Sequence, residues 1–337
     1  MTLMLLAALA CKKDEDPGVD DSNVVVDDTS SDDTGQEVCE AKPAEVVPED
    51  EADEVYHRDL VEIAFTQSVS GASFTLGTVD GLHSTEFRED WNDAGDRVTL
   101  VPGRPLEPDQ YYLLEMDVCG TTYQSTFTTS DLGLGLVVGP EDLLERTYLI
   151  SLDQVEFTKP ENVAALVKTF LDMPLLVNIH EVDEGELFLV GAEGWIDGQG
   201  DVRQRKRRNE QDVPTWDFEG VDFTQAPYFS ADSAGIVIVY DGVDIPISDF
   251  HLEGTLTSDG SAFGGGRLWG LADTRNTAPL LGESDPGHVC GLIEGFGAEC
   301  EACPDGELYC LYIEGHEIYA EQVEVANEFE RIEAAPE

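Results

Sequence analysis

The apolar residues of this chain come mostly in runs of strand length, and that limits what it can fold into. Val61-Glu62-Ile63-Ala64-Phe65 alternates with period two, as do Arg97-Val98-Thr99-Leu100-Val101 and, less cleanly, residues 112–118. Successive side chains of a strand point to opposite faces, so each run builds one half-buried strand. Turn residues separate the runs, and several short strands at this spacing predict a β-sandwich. With 337 residues, 41% of them apolar, there is room for two cored domains and a linker.

The later part of the chain, about 140–330, reads as a second β-rich domain. Tyr148-Leu149-Ile150-Ser151-Leu152 begins a strand pattern. A helix is expected next: Pro160 suits its first position, Val163, Leu166, Val167, Phe170 and Leu171 recur at helical spacing, and Pro174 ends it. Residues 175–179 and 186–190 read as strands joined by a turn at Asp183-Glu184-Gly185. Asp241-Gly242 joins two further runs in a hairpin, and Ser258-Asp259-Gly260 turns another. Gly264-Gly265-Gly266 has no helix signal after it, so close backbone packing or a bulge explains it better than a phosphate loop. The expectation is an antiparallel sheet or half-closed barrel with one packed helix.

The wording of the first strands is specific. Residues 63–69, then Val98-Thr99-Leu100-Val101-Pro102-Gly103-Arg104-Pro105-Leu106-Glu107-Pro108-Asp109-Gln110-Tyr111, then Ser125-Thr126-Phe127-Thr128-Thr129, resemble the bacterial immunoglobulin-like domains first described in surface-layer proteins. The resemblance covers about 39–131 and implies a spacer or binding scaffold rather than catalysis.

Residues 1–10 are apolar and far shorter than the ~20 residues a spanning helix needs. They end in small residues directly before Cys11, and 11–38 is an acidic, extended tether. Apolar peptide, Cys and tether together resemble a bacterial lipoprotein, with 1–10 as signal peptide and Cys11 as the acylated residue. Lys12, where enteric inner-membrane lipoproteins carry Asp, points to the outer membrane.

The formal net charge is −53, from 71 acidic and 18 basic residues. Such a surface repels phosphate backbones and anionic headgroups, so nucleic acid is excluded as a partner. Solubility accounts for the acidity; cation binding is the alternative, but no EF-hand loop is present. Arg203-Gln204-Arg205-Lys206-Arg207-Arg208 concentrates five positive charges. It reads as an exposed loop, or as a segment that docks on acidic surface of this chain or of a partner.

No catalytic constellation is visible. The six histidines are scattered without metal-ligand spacing, and no G-x-S-x-G elbow occurs. Cys39 and Cys119, the two cysteines of the first module, are expected to pair in an exported chain. Cys290, Cys300, Cys303 and Cys310 could bind zinc, but only one C-x2-C knuckle is present, so two disulfides are expected, with connectivity open. That segment loosely resembles the cysteine-rich ends of uncharacterised myxobacterial-type lipoproteins. The expectation is a non-enzymatic, cofactor-free envelope protein. It would meet the membrane through its lipid anchor and other envelope proteins or surface polymers directly. A carrier of an apolar ligand in the second domain is the alternative.

Overall fold

A computed structural model of the chain describes residues 39–333, apart from positions 70, 172 and 209. The expected signal peptide, Cys11 and the tether lie outside the described residues. Of the described residues, 40–333 belong to one compact unit.

The first eight strands are β1 (Pro43–Val47), β2 (Ala52–Val55), β3 (Val61–Phe65), β4 (Ser73–Thr78), β5 (Phe87–Trp91), β6 (Arg97–Pro102), β7 (Tyr111–Val118) and β8 (Thr121–Thr129). They form two four-stranded sheets, ordered β1-β3-β6-β5 and β2-β8-β7-β4, with β2 parallel to β8 and the other pairs antiparallel. The alternation seen in the sequence places Ile63, Leu100, Leu114 and Met116 between the sheets, each essentially inaccessible. Leu106, between the two prolines, is buried, and the Tyr112 hydroxyl accepts the Glu107 N–H at 2.9 Å.

Beyond the sandwich come β9 (Thr147–Ser151), β10 (Glu156–Lys159), α1 (Ala164–Phe170), β11 (Pro174–Asp183) and β12 (Glu186–Ile196). Three short strands follow, β13 (Val202–Gln204), β14 (Arg207–Arg208) and β15 (Gln211–Asp212), then β16 (Trp216–Asp222), β17 (Tyr228–Tyr240), β18 (Val243–Leu256) and β19 (Ala262–Asp273). The chain ends with α2 (His288–Glu294), β20 (Glu301–Ala302) and β21 (Leu308–Val323).

Eight of these strands pair in the order β9-β11-β12-β16-β17-β18-β19-β21, and β21 pairs back onto β9 with Ile150 opposite Ala320. The sheet therefore closes: the expected half-closed barrel is a complete up-and-down barrel, every adjacent pair antiparallel. Closure removes the free edges that an open sheet would expose. At the hairpin between β17 and β18, Asp241 and Gly242 both have positive φ, as a tight two-residue turn requires. The helix is shorter than its sequence pattern: Pro160 lies in the turn before it, and Val163 caps α1. Val163, Val167 and Leu171 nonetheless face the barrel core, with Val289 and Ile293 of α2.

Three bulges shape the outer face of the barrel. Asp249 on β18, Gly265 on β19 and Glu317 on β21 all have positive φ and sit where pairing register shifts or inward parity changes. On β18, Ile245 and Ile247 face inward before the bulge, and Phe250, Leu252 and Leu256 face inward after it. An extra residue switches which positions face out, so His251, Glu253 and Thr255 fall on the outer face.

Candidate functional site

A cluster of interacting polar side chains lies on that outer face, where the sandwich meets the barrel. β17 contributes Tyr228 and Asp232, β18 His251, Glu253 and Thr255, β19 Arg267 and Trp269, and β21 Glu314 and His316. Outward positions of a barrel are ordinarily solvated, yet His251 and Thr255 are buried. His251 stacks on Trp269 with ring centres 3.7 Å apart. Thr255 is covered by the sandwich.

The covering segment is Tyr56-His57-Arg58-Asp59, between β2 and β3. The Tyr56 hydroxyl lies 2.7 Å from the Thr255 hydroxyl, and its ring rests on the Gly265 backbone. Arg58 lies over the Tyr228 ring at 3.6 Å and donates to Gln225 at 2.9 Å. Leu132 fills the space beside Gly264, and the Val137 N–H donates to the Ser258 carbonyl at 2.8 Å. The glycine triplet is thus a bulge that admits another module's side chains.

Behind this latch the charges run in a chain. Tyr228 donates to Glu253 at 2.7 Å; Glu253 faces His251 at 3.5 Å and Arg267 at 3.7 Å. Arg267 pairs with Glu314 at 2.8 Å, and Glu314 lies 2.8 Å from His316. His251 Nδ1 lies 2.7 Å from Asp232. Burial works against the charged form of His251, but Glu253 and Asp232 outweigh it and its pKa is raised. Burial likewise works against ionised Glu253, and its hydrogen bonds to His251 and Tyr228 still hold it below the usual carboxylate range. Burial pushes the Tyr56 hydroxyl up to about 12 and raises Tyr228 as well. His57 goes the other way: burial and the neighbouring Arg58 lower it to about 4.

Each cation of this stripe meets a carboxylate or a ring, and Tyr56 and Arg58 join the sandwich to it. Among the described residues, no group of three or more His, Cys, Asp or Glu is placed to hold a metal ion.

Cys290 and Cys300 are disulfide-bonded, as are Cys303 and Cys310, with Cα separations of 5.5 and 5.0 Å. They staple α2 and the loop after it to the start of β21. Cys39 and Cys119 are each disulfide-bonded too. The basic run docks on this chain's own acidic surface. Arg205 and Arg208 both pair with the buried Glu193, Arg203 with Asp197, Arg207 with Asp212, and Lys206 with Glu330. The glycine bulge is legible in the sequence. The stripe is not, because the bulges at Asp249 and Glu317 carry no sequence signature.

The barrel interior is filled by side chains such as Tyr148, Phe218, Phe250 and Phe263. An apolar cavity of about 60 Å³ lies under α1, between Val163, Val167, Leu171, Ile245, Val289 and Ile293. A cleft of about 800 Å³, lined by Glu145, Glu324, Glu328 and Phe329, opens where the C-terminal segment leaves β21.

No family model matches this chain, and no curated protein does. Solved structures give distant likenesses. CopC from Methylosinus trichosporium OB3b is 16% identical with a TM-score of 0.24, covering 27% of this chain and 93% of CopC. The copper resistance protein PcoC from Escherichia coli is 16% identical with a TM-score of 0.23, covering 26% and 99%. Domains 1–6 of the surface-layer protein SbsC are 9% identical with a TM-score of 0.22, covering 84% of this chain and 51% of that one.

Proposed function

We propose that this chain is an exported lipoprotein, anchored at Cys11 in the outer membrane, with a structural or interaction role in the cell envelope and no catalysis. The observation that carries the reading is the junction, in which a sandwich and a filled barrel are latched by Tyr56, Arg58 and a charge-compensated stripe. Such a construction suits a protein that holds a shape at a distance from the membrane. The disulfides of the last segment suit an oxidising compartment. Cys39 and Cys119 are proposed to pair with each other, tying the tether to the sandwich.

The carrier reading is less favoured. Ligand sites are ordinarily of order 300–1,000 Å³, and the apolar cavity under α1 measures about 60 Å³. The wider cleft is open and carboxylate-lined, which does not suit an apolar ligand.

Fractionation tests the proposal. The wild type should sediment with outer membranes, and Cys11→Ser should move the folded protein to the soluble fraction. Wild-type protein found soluble from the start would contradict the anchor.

A further inference from the structure

We propose that the junction between sandwich and barrel is an acid-sensitive hinge, released when His57 is protonated. His57 is a residue of the latch itself, between Tyr56 and Arg58, and is 6% exposed. Its ring fills the space beside Gly133, which has φ +111°; a Cβ there would lie 2.5 to 2.8 Å from the ring atoms. The segment leading from sandwich to barrel therefore passes directly over the imidazole.

The neutral ring is satisfied on one side only. The Leu132 carbonyl hydrogen-bonds to it, while Nδ1 is buried with no hydrogen-bond partner among the described residues. A neutral imidazole can leave one nitrogen bare at modest cost. Protonation places an N–H donor there with nothing to accept it, in a buried site beside the Arg58 guanidinium. The groups around it offer no relief. Tyr56 meets the ring edge-on at 4.8 Å. The turn at Leu106 presents its N–H to the His57 carbonyl at 2.8 Å, and the linker presents the backbone of Leu132 and Gly133. The charge that bears on the ring is Arg58, and it opposes protonation.

Acid therefore favours a state in which the His57 segment has left its site. The stripe on the barrel does not drive this opening, because Asp232 and Glu253 favour the charged form of His251 in the same range. The barrel stays closed, and release begins in the latch segment, where Tyr56 and Arg58 on either side of His57 make the contacts to the barrel. With the ring's pKa at about 4 when closed and 6.5 when open, His57 by itself would lower the closed state's relative population roughly fifty-fold between pH 7 and pH 4.5. Asp59 in the same segment, whose carboxyl burial and Glu317 hold above its ordinary value, takes up its proton more readily when closed and offsets part of that fall. The hinge does not depend on the anchor or the envelope role.

Hydrogen exchange on the full chain tests it, because the Leu106 amide is protected by the His57 carbonyl. The Leu106 protection factor should fall about five-fold or more from pH 7 to pH 4.5, roughly fifty-fold being the ceiling set by His57 alone, while barrel amides such as Val190 keep theirs. His57→Gln should flatten the Leu106 response. Gly133→Ala, which forces the ring out, should lower Leu106 protection already at pH 7. Unchanged protection in the wild type, or an equal fall in His57→Gln, would overturn the proposal.

Discussion

The ring of Tyr56 occupies the space that a side chain on Gly265 would need: a Cβ there would lie 2.4 Å from the ring. Gly265 also has φ +57°, so the position excludes side chains twice over. Gly265→Ala should cost about 2–4 kcal/mol, from left-handed strain and the displaced hydroxyl pair with Thr255. Tyr56→Phe should cost about 1–2 kcal/mol, since it leaves the buried Thr255 hydroxyl without that partner. Urea unfolding of both variants checks the order, and Tyr56→Phe as the costlier change would contradict the packing account.

Glu193 is buried and accepts both Arg205 and Arg208. Removing its charge strands two guanidinium groups against the sheet. Because these arginines are a quarter to a third exposed, solvent screens part of the loss, and Glu193→Gln should cost about 2–3 kcal/mol. Limited trypsin digestion offers a second readout. Cleavage within 203–208 should be slow in the wild type and fast in the variant.

The two buried histidines respond oppositely to pH. His251 has a raised pKa in the folded protein, so its contribution is fully present below its ordinary value near 6.5 and is lost as pH rises through the folded value. His57 has a lowered pKa, so its contribution is present above 6.5 and is lost as pH falls toward about 4, amounting to ~3 kcal/mol. Stability measured against pH should therefore lose its alkaline-side decline near neutrality in His251→Asn and much of its acid-side decline in His57→Gln. Identical profiles for wild type and variants would contradict both assignments.

Much of the fold is legible in the sequence. Period-two alternation places β3 and β6, Asp241-Gly242 places the hairpin of β17 and β18, and the glycine triplet marks a bulge. Barrel closure is not legible, because β9 is only five residues long and pairs with both β11 and β21 across long chain separations. The junction is hidden for a related reason. Tyr56, His57 and Arg58 look like an ordinary polar connection between strands, and their partners Thr255, Gly133 and Tyr228 lie 76 to 199 positions away by simple subtraction. The basic run reads from sequence as exposed or docked; only tertiary structure brings Glu193 and Glu330 to it and decides for docking.

Peptide mapping without reduction should recover Cys290 with Cys300, Cys303 with Cys310, and Cys39 with Cys119. The first two pairs follow from the structure, and the third from the remaining two described cysteines being disulfide-bonded. Recovery of free thiols at 39 and 119 would remove the proposed tie between tether and sandwich.

The anchor is the central claim, and mass spectrometry of the N-terminus of native protein extracted from membranes tests it most directly. The account predicts a mature chain that begins at Cys11 and carries acyl groups on it. A chain that retains an unmodified residue ahead of Cys11, or that bears Cys11 without lipid, would contradict it.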